Sequence, residues 1–278
     1  MNEIICKEKI TSEAYMLDVS APQIARAYQP GQFIILRNTE RGERIPLTVA
    51  DVNPREGFIS LIFAVVGKST RELASLNVGD EILDLLGPLG KPSKIKKYGT
   101  VACIGGGIGA APLYPIIRAL SGAGNRIFTI LGARCGELLF WRSRMEKLSE
   151  QTYITTDDGS CGKKGYVTDE LGHLLDERNI DRVIAIGPLV MMSAVSALTR
   201  GYGVDTIVSL NPVMVDGTGM CGACRVTVGG VTKFACVDGP EFNAHEVDFD
   251  ELFHRAGFYL REEEHSLKRY IGRENNER

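Results

Sequence analysis

The first hundred residues alternate between short apolar runs and turn clusters. IICKEKI, YMLDVS, FIILR, IPLTVAD, FISLIFAVV and EILDLLG are rich in branched and aromatic residues, with QPGQ, NPREG and NVGD among the stretches between them. Runs of this length suit β-strands, and clusters of Gly, Pro, Asn and Asp turn the chain between them. Six such strands predict a small antiparallel barrel, interrupted by one helix from Ser69 to about Ser75. Near Gly99 the rhythm changes. TVACIGGGIGAAPLYPIIRAL reads as strand, glycine turn and helix. The strand-like runs RIFTILGA, TYITTDD, RVIAIG and DTIVSL follow, separated by helical segments around Leu138–Leu148, Val167–Leu175 and Leu189–Arg200. That alternation means βαβ units and a parallel sheet. Regular structure is expected to stop after Asn211. Phe249, Leu252, Phe253 and Leu260 then recur at roughly helical spacing, as in an amphipathic tail packed on its own domain; a docking surface for a partner is the alternative. The expected division is 1–98, barrel; 99–210, parallel-sheet nucleotide-binding domain; 211–245, a cysteine loop; and 246–278, a helical tail.

Composition narrows the classes. A chain of 278 residues suits two domains, and 44% apolar residues suffice for a core. A formal net charge of -3 gives no reason to expect nucleic acid or an anionic membrane as partner. The apolar run near Ile59 to Val66 is far shorter than the ~20 residues of a spanning helix. MNEIICKEKI has no apolar core of a secretion signal, so a soluble cytoplasmic protein is expected. The seven cysteines are odd in number and clustered, unlike a secreted disulfide framework.

Three of them, Cys221, Cys224 and Cys236, fall in VDGTGMCGACRVTVGGVTKFACVDGPEF. Cys224 and Cys236 bracket a predicted hairpin whose Gly229-Gly230 supplies the positive φ of a two-residue turn. With Val228 opposite Val231, Cys224 lies opposite Ala235 and diagonal to Cys236, the thiols roughly 5–8 Å apart. Cys221 joins them from a glycine-rich loop that brings amide N–H groups close to sulfur. Soft thiolates with amide donors suit iron and sulfide. The spacing Asp216-x4-Cys221-x2-Cys224-x11-Cys236 matches the plant-type [2Fe–2S] pattern, with Asp216 in the first ligand slot. Asp216 is therefore the candidate fourth ligand; as Asp-Gly it is equally a turn residue. Zinc held by the three thiols with His245 or Asp216 is the competing metal, but only one CxxC knuckle is present.

The glycine turn, with Gly105, Gly107, Ile108, Gly109, Ala110 and Pro112, loosely matches a dinucleotide fingerprint in which phosphate oxygens reach helix N-terminal amides. A plain tight turn is the alternative. The next strand ends in Arg134, where an acidic ribose ligand is usual, so the choice between NAD and NADP stays open. Asp157 and Asp158 are candidates for ribose hydroxyls or turn caps. Gly187-Pro188 ends a strand as either a nicotinamide border or a helix start. The four histidines, His173, His245, His254 and His265, are read as surface or packing residues. Cys6, Cys103 and Cys135 are read as buried small apolar groups, and Cys161 as a loop thiol.

Arg44-Ile45-Pro46-Leu47-Thr48 resembles the R-x-P-[LI]-[ST] flavin loop of the electron-transfer subunits of dihydroorotate dehydrogenase. Ferredoxin–NADP reductases, their broader relatives, carry Tyr and Ser where this chain has Pro46 and Leu47. Val65-Val66-Gly67-Lys68-Ser69-Thr70 is similar to that family's FAD-diphosphate segment. GGGIGAAPLYP, LGARCGE, TTDDGSCGKKGYVTD and IGPLVMM are similar to its pyridine-nucleotide domain. The resemblance spans nearly the whole chain and implies FAD across the barrel mouth. Arg44, Val65, Gly67, Ser69 and Thr70 would then hold the diphosphate, with Pro46, Leu47 and Thr48 at the isoalloxazine. It also implies NAD(H) at the carboxyl ends of the parallel strands and no acid–base catalytic residue. Three cysteines with one aspartate are similar to the small subunits of electron-bifurcating NADH-dependent reduced ferredoxin:NADP+ oxidoreductases. That implies a larger NADPH-oxidising partner carrying FAD and [4Fe–4S] centres, ferredoxin reached through the complex, and only diaphorase activity for the chain alone. A dihydroorotate dehydrogenase subunit and a sulfide dehydrogenase subunit are the alternative readings; a cysteine at 216 would have favoured the first.

Overall fold

The computed structural model describes residues 2–276; Met1 and positions 277–278, which the expected barrel and tail include, lie outside them. The barrel comprises β1 (Ile4–Lys9), β2 (Ala14–Ser20), α1 (Pro22–Ala27), β3 (Phe33–Arg37), β4 (Ile45–Asn53), β5 (Phe58–Ala64), α2 (Lys68–Ser75) and β6 (Asp84–Leu89). Its six strands pair antiparallel in the order β1-β2-β5-β4-β3-β6. The start of β1 and the segment just ahead of β6 close it: the Ile4 amide donates to Asp80 O and the Ile82 amide to Asn2 O. Alternating positions Leu17, Val19, Ile34, Leu36, Val49, Ile59, Leu61 and Phe63 fill the interior, the period-2 pattern of strands with one buried face. All six expected strands are present. The helix α1 was not expected; six residues opened by Pro22 are too few for a periodic signal.

The second sheet is built from β7 (Thr100–Gly106), α3 (Ala110–Gly122), β8 (Arg126–Ala133), α4 (Arg142–Glu146), β9 (Gln151–Thr156), β10 (Lys163–Lys164), α5 (Val167–Glu177), β11 (Arg182–Ile186), α6 (Leu189–Tyr202) and β12 (Thr206–Ser209). The strand order β10-β9-β8-β7-β11-β12 is parallel throughout. It reverses between β7 and β11, where a ligand crevice is expected outside the strand ends. Every residue of β7 is buried, as in a strand covered on both faces.

The expected hairpin is present as β13 (Arg225–Val228) and β14 (Val231–Phe234), but one expectation is corrected beyond Asn211: regular structure also resumes in α7 (Ala235–Asp238) and in β15 (Glu241–Asn243). β15 adds to β12 antiparallel as the seventh strand, Val208 facing Phe242. Three residues are too few to show a period, so this strand was silent in the pattern. The tail is also two helices. In α8 (Phe249–Ala256) the buried Leu252 joins the core beside α6, as expected of a tail on its own domain. In contrast, α9 (Leu260–Asn276) packs against α2 of the barrel.

Candidate functional site

The cysteine hairpin has the expected register. Val228 faces Val231, and the Ala235 amide donates to Cys224 O at 3.0 Å. Cys224 and Cys236 are buried side by side, and the Cys236 amide donates to Cys224 Sγ at 3.4 Å. Burial, then the neighbouring Cys224, pushes the Cys236 thiol up to about 12. The Cys236 thiol thus keeps its proton until a soft cation replaces it, the usual requirement for metal binding. Cys221 lies exposed at the lip. Arg255 of α8 donates to the carbonyl of Ala223 at 2.9 Å, tying the loop to the tail; nothing in the spacing had marked this arginine.

Asp216 sits at the head of the loop. One carboxylate oxygen accepts from Thr218 N and Oγ1 at 3.0 and 2.8 Å, the other from Met220 N and Cys221 N at 3.3 and 3.2 Å. These bonds, the Thr218 amide first, lower its pKa to about 2. A carboxylate has about four acceptor positions, and here four donors occupy them. Binding iron through Asp216 therefore requires release of a contact, and the two long ones from Met220 and Cys221 are the weaker. Among the described residues, no three His, Cys, Asp or Glu side chains already converge on a single ion. The donor set itself suits iron and sulfide: three thiols, one ionised carboxylate and a loop whose Gly217, Gly219 and Gly222 all adopt positive φ.

The loop rests on the barrel. A Cβ at Gly217 would lie 2.8 Å from Leu89 and 2.9 Å from Ile35, so the Asp216-Gly217 turn is seated on β6 and β3. Ile35 in turn faces Pro46 across the β3–β4 ladder, and Phe33 faces Thr48. The first ligand slot and the flavin-loop strand are thus separated by one strand, roughly 5 Å per step. Further links fix this junction. The Lys91 amide donates to Gly239 O, the Leu210 amide to Pro240 O, and Ser93 of the connecting segment donates to Glu241 of β15. The sequence reading passed over Glu241, whose carboxyl group burial drives upward in pKa.

Around α2 the expected cofactor residues are already engaged locally. Thr70 Oγ1 accepts from the Val66 and Gly67 amides, and Ser69 Oγ donates to Glu43 at 2.9 Å. Val65 is half-buried and Arg44 exposed; Pro46, Leu47 and Thr48 are half-buried along β4. Asn38 donates to Ser69 O at 3.3 Å, yet its Oδ1 is buried without a partner among the described residues. An orphaned buried acceptor costs about 1–3 kcal/mol unless something donates to it. A ligand hydroxyl or amine at this place would do so, and the segment fits a flavin nucleotide on that ground.

The glycine turn and the next strand end come together at the switch point. A Cβ at Gly109 would press on the Ile186 carbonyl oxygen and lie 2.8 Å from Gly187 Cα. The glycine turn and the Gly187-Pro188 corner therefore meet at the end of β11; Gly105 and Ala110 are buried there, Gly107 and Pro112 half-buried and Ile108 exposed. Pro188 is the N-cap of α6, which is the helix-start reading of Gly187-Pro188. Asp158 is a turn cap: its carboxylate accepts from Ser160 N and Oγ, which lowers its pKa. Asp157 is exposed beside it. Arg134 is not free for a ribose phosphate, because its guanidinium grips both carboxylate oxygens of Glu13 on the barrel. Of the three cysteines expected inside, Cys103 is buried, Cys135 half-buried, and Cys6 exposed; Cys6 sits beside a register shift in the outer strand β1.

Residues 211–248 match the iron-sulfur cluster binding domain of dihydroorotate dehydrogenase B, and residues 103–197 match an oxidoreductase NAD-binding domain. A Thermotoga maritima dihydroorotate dehydrogenase B (NAD(+)) electron transfer subunit homolog is 50% identical, over 98% of this chain and 96% of its own. The corresponding electron transfer subunit of Fusobacterium nucleatum is 31% identical over 87% of this chain and 95% of its own. The chain belongs to this family of electron-transfer subunits. A solved chain from the NADH-dependent reduced ferredoxin-NADP oxidoreductase, studied for flavin-based electron bifurcation, is 49% identical, with a TM-score of 0.93 and 98% of both chains covered. The FAD/NAD-binding domain of a Vibrio cholerae nitric oxide dioxygenase shares the fold alone, at 18% identity and a TM-score of 0.62. It covers 74% of this chain. The family is one of oxidoreductases, and among the described residues no helix is long and apolar enough to cross a membrane.

Proposed function

We propose that this electron-transfer subunit connects NAD(H), FAD and a [2Fe–2S] cluster as the small subunit of a cytoplasmic, electron-bifurcating NADH-dependent ferredoxin:NADP+ oxidoreductase. The observation that carries the reading is the seating of Gly217 on Ile35 and Leu89, which puts the cluster loop one strand from Pro46 and Thr48. On this reading residues 1–98 hold the flavin, 99–210 the dinucleotide, 211–245 the cluster, and 246–278 form the tail.

Bound flavin supplies the exchange between a hydride's two electrons and the single electrons of an iron–sulfur centre. The chain's residues bind and orient. Arg44 and the amides opening α2, with Gly67, Ser69 and Thr70, present positive charge to a diphosphate. Pro46, Leu47 and Thr48 shape the strand edge at the ring. Gly105 to Ala110 and Gly187 would bring backbone, exposed at Ile108 and half-exposed at Gly107 and Gly187, to a dinucleotide at the switch point, with Asp157 and Asp158 at its rim. Cys221, Cys224, Cys236 and Asp216 hold the cluster. No side chain is asked to move a proton. A larger partner carrying FAD and [4Fe–4S] centres would oxidise NADPH and pass the second electron to ferredoxin. This chain's similarity to the Thermotoga and Fusobacterium subunits keeps dihydroorotate oxidation as the second reading.

Anaerobic purification of the native complex tests both. A flavin band with iron–sulfur shoulders, a paramagnetic resonance after dithionite, and co-purification of an NADPH-oxidising subunit are expected. A dihydroorotate-oxidising partner would select the second reading. A colourless zinc protein would end both.

A further inference from the structure

Between the barrel and the tail lies an open cleft of about 860 Å³, the size of a small-molecule site. One wall is the β3–β4 connection at Thr39 and Arg41 with the first turns of α2 at Lys68 and Glu72; the other is α9. The barrel wall is made of the two segments flanking the proposed diphosphate site, Arg44 and Gly67–Thr70. The orphaned Asn38 Oδ1 lies next to Thr39 in the chain.

On α9, Arg261, His265 and Arg269 all line the cleft at successive i, i+4 positions. Two arginines on one face of a helix, about two turns apart, give that face a fixed positive charge. The solvent side of the same helix is balanced, Glu264 pairing with Lys268 at 2.7 Å. Among the described residues, Arg41, Arg261 and Arg269 have no ion-pair partner, while Lys68 meets Glu72 at 3.7 Å. With Arg41, Lys68, Arg261 and Arg269 against Glu72 and Glu262, the lining carries surplus fixed positive charge, and with the Ser266, Thr39 and Tyr270 hydroxyls it fits a phosphorylated nucleoside, which offers phosphate oxygens and sugar hydroxyls together.

We infer that α9 is the outer wall of the adenosine-phosphate end of the flavin site, so that the tail helps this subunit choose FAD over FMN. This rests on the flavin reading above, and the tail lies beyond residue 248, where the cluster-domain match ends. Arg261 and Arg269 act here as binding residues for the half of FAD that FMN lacks.

The test uses the full chain, stripped of flavin, in three forms: wild type, Arg261→Glu with Arg269→Glu, and a chain ending at Tyr259. FAD and FMN are titrated separately by flavin fluorescence, and ADP by calorimetry. The dissociation constant for FAD should rise about tenfold or more in both variants, while that for FMN stays within about twofold. ADP should compete with FAD on wild type. Equal weakening of both flavins would overturn the inference, because the tail would then support the fold or the ring end. Unchanged FAD affinity would also overturn it. If ADP bound flavin-loaded wild type, and the variants lost that binding alone, the cleft would belong to a free nucleotide instead. Failure of wild type to bind either flavin would sink the flavin reading itself, a different result from any of these.

Discussion

The glycine turn after β7 and the cysteine loop before β13 are both glycine-rich, but they are crowded by different things. At Gly109 the neighbour is backbone, the Ile186 carbonyl and Gly187 of the adjacent strand end. At Gly217 it is the flexible ends of Ile35 and Leu89. Backbone in a buried parallel sheet cannot yield; side-chain methyls can. The glycine turn is accordingly held by unyielding backbone, whereas the cysteine loop, with two buried thiols and a carboxylate tied to its own amides, rests on contacts that can shift.

The largest expected effect follows from the rigid side. Gly109→Ala should destabilise the protein by about 2–3 kcal/mol, since the added methyl must push the start of α3 away from the end of β11. It should also abolish NADH binding. Thermal unfolding and NADH titration check this, and a stable variant that still binds NADH would mean the crevice yields as the loop does.

The loop should behave in the opposite way. Asp216→Ala removes four contacts to one exposed turn, so the apo protein should lose no more than about 1 kcal/mol. Iron should nevertheless be lost, because the carboxylate fills a ligand slot. Asp216→Cys should restore two irons per cluster with a shifted reduction potential. Iron content, spectrum and potential unchanged in the alanine variant would leave Asp216 as a turn cap only.

How much of this contrast could be read from the chain follows from range. The six barrel strands, the βαβ series and the Val228–Val231 hairpin are local patterns, and periodicity or turn chemistry exposed them. Arg255 holding the Ala223 carbonyl, Glu13 holding Arg134, and Gly217 on Ile35 join residues far apart in sequence, and no spacing encodes such meetings. β15 was lost for its three residues. The tail showed its apolar spacing, but Leu252 alone is buried, while α9 turns a charged face to the barrel.

Glu241 lies at the seam joining the two regions, and its protonation makes a smaller, pH-dependent prediction. Its folded pKa is raised above the ordinary 4.5, chiefly by burial, so the folded chain holds a proton that the unfolded chain releases. Stability attached to that proton is complete below pH 4.5 and is lost as pH rises through the raised folded value. Glu241→Gln keeps a side chain able to bond Ser93 and removes the titration. The variant should gain on wild type by about 1 kcal/mol between pH 4.5 and 8 in chemical unfolding. A constant difference across that range would mean the carboxylate is not held away from water.

The smallest effect concerns which dinucleotide the rigid crevice accepts. Arg134 and Glu13 are 69% and 53% exposed in their side chains, so breaking the pair should change stability by no more than about 0.5 kcal/mol. Its interest is charge. Arg134 ends β8 at the crevice, but Glu13 neutralises it, so a 2′-phosphate meets no net positive charge there. Arg134→Ala should therefore leave the KM values for NADH and NADPH within about twofold in a ferricyanide diaphorase assay. Glu13→Gln should free the guanidinium and lower KM for NADPH alone, by several-fold at low salt and less at high salt. If Arg134→Ala instead raised KM for NADPH selectively, the arginine would already be reading the phosphate despite its partner, and the crevice would adapt to its ligand much as the cysteine loop does.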